Sequence, residues 1–278
     1  MNDQASSLRR LKAIVDQTRA AEDNPEEFLS EIVRPSPFAS IALIWPDLPS
    51  VDFPPVTSWI SAMMQFSPRG CFWDQAEIIP SSSLPKTQIK LKYPVPVRIE
   101  SGLTPLTILP HQPDFLDLSA KPVHSRVEFL RHLNRSLKSH SEVWISIRAS
   151  ELAKSSPILH STDAVCIMVP PHNDSVIKCY ETVKSVHLSG YFSPIGLLDF
   201  TATNSASGES SSKKIKIVAK QFLALDLVTS GMVLSNCTYI PPESESGLRG
   251  RIASTDESSR DFLYCLSESL IYLIPGIA

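Results

Sequence analysis

Two stretches decide how this chain is read: Gly196-Leu197-Leu198-Asp199-Phe200-Thr201-Ala202-Thr203 and Lys214-Ile215-Lys216-Ile217-Val218. In the second, lysine and isoleucine alternate, which in an extended chain gives one apolar and one cationic face. Between them runs Asn204-Ser205-Ala206-Ser207-Gly208-Glu209-Ser210-Ser211-Ser212, with no side chain able to anchor a core. The simplest reading is a long hairpin with a serine-rich loop, or two strands of one sheet. Asp199 and Asp226, each alone in an apolar run, are then expected to face outward or toward Lys214 or Lys216 across the sheet.

Outward from that pair, other segments pattern as strands: Ile41–Trp45, Gln88–Tyr93, Val95–Ile99, Thr104–Leu109, Glu142–Ala149 and Ala164–Val169. The chain holds 23 prolines and only 9 glycines. Proline cannot donate to a sheet ladder, so this predicts short strands with guarded edges. Helices are expected at the periphery. The first 34 residues read as helical, with Leu8, Leu11, Ile14 and Val15 at helical spacing. A second helix begins at Asn24-Pro25-Glu26-Glu27, a cap, a proline at the first position and acids against the dipole, and carries Phe28, Leu29, Ile32 and Val33. Ser58–Phe66 reads as a short Trp/Met helix. Ser125–His140 has an apolar stripe of Val127, Leu130, Leu133 and Leu137, with Arg126, Arg131, Arg135 and Lys138 off it. A final helix over 255–274 opens on a capping box of Ser254 and Glu257.

The expected fold class is therefore mainly β (α+β): two packed, sandwich-like β-rich domains with peripheral helices. The expected divisions are an N-terminal helical extension (1–34), an N-terminal β-rich domain (35–120) and a C-terminal β-rich domain (121–278). The last includes the basic helix 125–140 and the C-terminal helix 255–274.

The chemistry is quieter. A net charge of −3 makes no whole-chain case for nucleic acid. Five widely spaced cysteines without a CxxC pair signal neither a zinc site nor a disulfide framework. No phosphate-loop, dinucleotide, nucleophile-elbow, zincin or EF-hand pattern occurs, and scarce glycine argues against phosphate-cradling loops. No catalytic, cofactor-binding or metal-ligating residue is assigned, and no cofactor or small-molecule substrate is indicated. Cys166, near His160, reads as a buried inert thiol. Asp74 and Glu77, beside Cys71, Phe72 and Trp73, read as polar surface over an aromatic core, with a pocket as the other reading. Without a signal peptide's apolar core at residues 1–10 or a membrane-length apolar run, the chain is expected to be intracellular and cytoplasmic, at most peripheral to a membrane.

Two aromatic–proline tetrapeptides, Phe53-Pro54-Pro55-Val56 and Tyr93-Pro94-Val95-Pro96, resemble the short motifs by which viral matrix proteins recruit membrane-scission machinery. The stretch Ala39–Pro46 followed by a short helix, and the two β blocks at about 36–120 and 141–240, resemble the β-sandwich matrix proteins of non-segmented negative-strand RNA viruses. That resemblance implies a non-enzymatic structural protein that self-associates into dimers or larger oligomers and lines an anionic membrane. Arg126, Arg131, Arg135, Lys138, Lys213, Lys214, Lys216 and Lys220 would contact lipid phosphate. The alternative is a viral or host accessory protein binding RNA or a host protein, for movement or immune antagonism. A second alternative is an unrecognised enzyme.

Overall fold

In a computed structural model the described residues are 39–47, 56–65, 69–79, 95–99, 106–111, 121–170, 175–191, 193–201, 211–234, 239–240 and 266. In chain order they form β1 (Ala39–Trp45), α1 (Val56–Met64), β2 (Gly70–Asp74), β3 (Val97–Ile99), β4 (Leu106–Leu109), α2 (Val123–Leu137), β5 (Glu142–Arg148), α3 (Ser156–Ser161), β6 (Ala164–Val169), α4 (Ser175–Leu188), β7 (Ile195–Thr201), α5 (Ser211–Leu223), β8 (Val228–Leu234) and β9 (Tyr239–Ile240). All nine strands belong to one sheet, in the order β3-β4-β2-β5-β1-β6-β7-β8-β9. Every pairing is parallel except those of the edge strands β3 and β9.

This corrects the β-sandwich expectation, and the correction begins at the two opening stretches. The first is β7. The second is not its hairpin partner but lies within α5. Ile215 and Ala219 are buried while Ile217 is 57% exposed, a spacing of four that belongs to a helix face and not to a strand face. A five-residue window of alternating Lys and Ile satisfies both periods, and the longer helix decides between them. β7, α5 and β8 thus make a strand–helix–strand crossover, with β7 and β8 parallel. Residues 176–188 form most of α4, with Cys179, Thr182, Val183 and Val186 buried.

The connections also fix which face each helix covers. The chain moves one way along the sheet from β1 through α1 to β2. It moves the other way through α2 to β5, α3 to β6, α4 to β7 and α5 to β8. Parallel crossovers are right-handed, so reversing the direction of travel puts the helix on the opposite face. The core divides accordingly. Val127, Leu130, Leu133 and Leu137 of α2 pack with Ile158 of α3, Val183 of α4 and Ile215 of α5 on one face, over Val143, Ile145 and Val165. Trp59, Ile60 and Met63 of α1 occupy the other, over Ile41, Leu43, Phe72 and Trp144. The central strands are therefore covered on both sides: β6 is buried at every position and β5 at every position but Arg148. Cys71, Cys166 and Cys179 are buried free thiols, and burial pushes Cys71 and Cys179 up to about 12.

Leu266 is helical and buried in the core beneath α2–α5. The expected N-terminal helices and the rest of the C-terminal helix lie outside the described residues, as do Gln88–Tyr93 and the central serine run before Ser211. Among the described residues, no helix is long and apolar enough to cross a membrane.

Candidate functional site at the carboxyl edge of the sheet

In an open parallel sheet the natural crevice lies beyond the carboxyl ends of strands whose connections leave in opposite directions. β2 and β5 are such a pair. They are neighbours in register, Asp74 opposite Ser146, and the chain leaves β2 toward β4 but leaves β5 toward β6.

The residues at this edge form one hydrogen-bonded unit. Asp74 is 2% exposed, and its Oδ1 accepts from the Ser146 hydroxyl at 2.9 Å and from the Ile78 amide at 3.1 Å, while Oδ2 accepts from the Ile79 amide at 2.8 Å. Burial raises its carboxyl above the usual range. The Ile79 and Ile78 amides, the Ser146 hydroxyl and the nearby His111 charge work against that rise. Ser146 Oγ in turn accepts from the Ala76 amide at 3.0 Å. The turn is tight enough that Glu77 adopts a left-handed φ of 51°, a strained conformation for a residue with a long side chain. Around it, the His111 ring donates from Nδ1 to the Gln75 carbonyl at 2.9 Å, and His111 Nε2 lies 3.2 Å from Glu77 Oε1. With Nδ1 donating to a carbonyl, Nε2 can donate to Glu77 only when the ring carries both protons.

Two side chains at this edge have hydrogen-bonding capacity that the described residues leave unused. Gln75 is 2% exposed, yet neither its Nε2 nor its Oε1 has a hydrogen-bond partner among the described residues. A buried carboxamide with both ends unpaired is costly, since nearly all buried polar atoms are satisfied in folded proteins. Arg148, at the carboxyl end of β5, is exposed; its Nε donates to the Ala76 carbonyl at 2.8 Å, and its two terminal nitrogens make no hydrogen bond among the described residues. Nearby, the Ser150 hydroxyl donates to Asp47 Oδ1 at 3.0 Å, joining the ends of β5 and β1.

The connection that follows β1 is chemically unlike a phosphate cradle. Residues 46–55 contain no glycine, lysine or arginine, but four prolines (Pro46, Pro49, Pro54, Pro55) and two aspartates (Asp47, Asp52). Backbone capture of phosphate needs residues free of Cβ and a nearby cation, so any anion bound at this edge depends on other groups.

Sequence reading located Asp74 and Glu77 but placed both at the surface; Asp74 is buried. It passed over Gln75, His111, Ser146 and Arg148. The available signal was Asp-Gln closing the apolar run Cys71-Phe72-Trp73, which gains meaning only once that run is known to be a parallel strand. The expected cationic residues fall elsewhere. On α2, Arg126 is buried and donates from Nε to the Lys121 carbonyl at 2.8 Å, Arg131 is half-buried and Arg135 is exposed, as is Lys138 just past its end. On α5, Lys213 and Lys220 are exposed, Lys214 is half-buried, and half-buried Lys216 donates to the Thr229 hydroxyl. Asp199 is buried and not turned outward or paired across the sheet: it accepts a hydrogen bond from Ser212 and feels the charge of Lys216 on α5. Phe53, Pro54, Pro55, Tyr93 and Pro94 lie outside the described residues, and Val56 opens α1. Among the described residues, no group of three or more His, Cys, Asp or Glu could hold a metal ion.

No family model and no curated protein matches the chain. Solved structures of similar outline include pNOB8 ParA, with a TM-score of 0.49 at 12% identity over 84% of this chain and 98% of that one. The MinC:MinD cell division protein complex of Aquifex aeolicus gives 0.42 at 13% identity over 86% and 99%. A putative plasmid partition protein of Borrelia burgdorferi bound to AMPPNP gives 0.44 at 13% identity over 82% and 97%. At these values the likeness assigns no activity, and the fold rests on the chain's own strand order. The viral-matrix resemblance is nevertheless overturned. It required two β-sandwiches, whereas the chain has a single, mostly parallel sheet with helices on both faces. With the matrix reading go its membrane-lining role and its exclusion of catalysis and of small-molecule ligands. This fold class places a ligand crevice at the carboxyl edge.

Proposed function

We propose that the chain binds a nucleotide-type ligand in the crevice between the carboxyl ends of β2 and β5. The observation that carries this reading is Gln75, buried with its carboxamide unpaired at both ends. A carboxamide offers an acceptor and a donor side by side, the complement of a heterocycle edge such as N6 and N7 of adenine. Arg148, anchored through Nε with its terminal nitrogens open, supplies the anion-binding partner that residues 46–55 lack. The Asp74–Ser146 unit holds the turn carrying Gln75 against the end of β5.

Calorimetric titration with ATP, ADP and adenosine tests the reading, using the parent and Gln75→Leu. The parent should bind, with both nucleotides tighter than the nucleoside. Gln75→Leu should weaken binding by about 10- to 100-fold, corresponding to about 1–3 kcal/mol for a two-pronged contact. It should also unfold no earlier than the parent, because an unpaired buried amide is exchanged for an apolar side chain. A parent that ignores all three compounds, or a variant that binds them equally well, would refute the proposal.

A further inference from the structure

The turn that follows β2 bears on both groups of the proposed nucleotide site, and His111 ties it down from a neighbouring strand. The parallel pairing of β2 with β4 sets Trp73 opposite Leu109, so Gln75 and His111 leave their strands at the same edge. The half-buried His111 ring donates from Nδ1 to the Gln75 carbonyl at 2.9 Å, and its Nε2 stands 3.2 Å from Glu77 Oε1. One ring thus spans the turn from its first residue to its third, Glu77, whose φ is 51°. A long side chain keeps that backbone conformation only where its surroundings hold it. Between the two lies Ala76, whose carbonyl accepts from Arg148 Nε and whose amide donates to Ser146. A shift of the turn therefore moves the Gln75 carboxamide and releases Arg148 Nε together.

The number of protons on the ring decides whether both contacts exist. A neutral imidazole has one N–H. With that proton on Nδ1, the Gln75 contact is kept and the Nε2 lone pair faces a carboxylate oxygen. With it on Nε2, Glu77 is satisfied and the Nδ1 lone pair opposes the Gln75 carbonyl oxygen. Only the imidazolium donates both ways, and its bond to Glu77 is then charge-assisted. Among the described residues, the charged groups around the ring are Glu77 on the turn, Asp74 on β2, which feels the His111 charge, and Arg148 on β5, joined to the turn through Ala76. Of these, Glu77 makes the ion pair with the ring.

We infer that His111 is a positioning residue of this site: on taking a second proton it clamps the turn of residues 75–77 and tightens ligand binding in acid. The effect on ligand presupposes the nucleotide site proposed above; the clamp itself forms without a ligand.

Two experiments on the full chain separate the clamp from the ligand. The first is a double-mutant cycle of His111→Gln and Glu77→Gln without ligand, read by urea unfolding at about pH 5 and about pH 8, the interval over which histidine ordinarily changes charge. The Glu77 side chain is 62% exposed, so the pair should be coupled in acid by about 2- to 5-fold in the unfolding equilibrium. At the higher pH the coupling should vanish. Asp74 titrates in all four proteins and drops out of the cycle. The second is calorimetric titration with ATP at the same two pH values. The ligand's own protonation is common to all the proteins. On going to acid the parent should gain about 2- to 5-fold in affinity over either single variant. The two variants remove opposite ends of one contact, so a loss shared by both is not a defect peculiar to one substitution. No coupling in acid, coupling of equal size at both pH values, or an acid gain that survives in either variant would overturn the inference. Acid coupling in a parent that binds no ATP at either pH would refute the nucleotide reading and uphold the clamp.

Discussion

Asp74→Ala is expected to destabilise the chain by about 3 kcal/mol, because it strands buried donors that have no water to turn to. The carboxylate accepts from Ser146 Oγ and from the Ile78 and Ile79 amides. Without it, nothing compensates the left-handed Glu77 at φ 51°. The pH dependence gives the loss a signature. The folded-state pKa of Asp74 is raised, chiefly by burial. The folded chain therefore holds this proton more firmly than the unfolded chain does, whose carboxyl titrates near its ordinary value of about 3.9. Where the folded state binds more protons, stability falls as pH rises. The Asp74 contribution to stability is thus greatest in acid and declines as pH climbs from about 4 through the raised folded value. The difference between parent and Asp74→Ala should shrink over that same interval. Urea unfolding followed by circular dichroism at a series of pH values measures both effects. A neutral substitution, or a difference that widens with pH, would contradict this account of the turn.

Trp59→Ala should cost more, about 4 kcal/mol, the range seen when a fully buried indole is removed and its cavity cannot close. Trp59 is 0% exposed on α1. Its ring meets Phe200 of β7 edge-on at 5.2 Å between centroids and Trp45 of β1 at 5.9 Å. It thus bridges two strands separated in the sheet by β6 alone. Of the described helices, α1 alone covers this face with Ile60, Met63 and Met64 beside it, so few neighbours can move in to fill the void. The two aromatic contacts add to the loss. Chemical denaturation by circular dichroism should show the midpoint fall, with the slope against denaturant retained if the native fold persists. A change below about 1 kcal/mol would mean that α1 does not seal this face as described.

Much of the chain's local structure can be read from its sequence. Ile41–Trp45, Ser58–Phe66, Ser125–His140, Glu142–Ala149, Ala164–Val169 and Gly196–Thr203 each name an element that exists, within a few residues. What misled was the period inside short windows and the meaning of uninterrupted apolar runs. Lys214–Val218 alternates by chance within a helix whose buried residues are Ser212, Ile215 and Ala219. Ala164-Val165-Cys166-Ile167-Met168-Val169 shows no alternation because both of its faces are covered. That is a mark of a parallel sheet, where a sandwich strand would alternate. Strand order is set by crossovers between distant segments, and no local pattern states it. The candidate site was invisible for the same reason. Gln75 and Arg148 are 73 positions apart, and they reach the same edge of the sheet only because Asp74 and Ser146 sit opposite one another in the β2–β5 register.

The most direct test of the central claim is hydrogen–deuterium exchange of the chain with and without saturating ATP. Binding between β2 and β5 should slow exchange at residues 74–79 and 146–151, while α5, which joins β7 and β8 beyond β6, stays unchanged. Protection confined to residues 46–58, or no protection at any peptide, would contradict a ligand site built on Gln75 and Arg148.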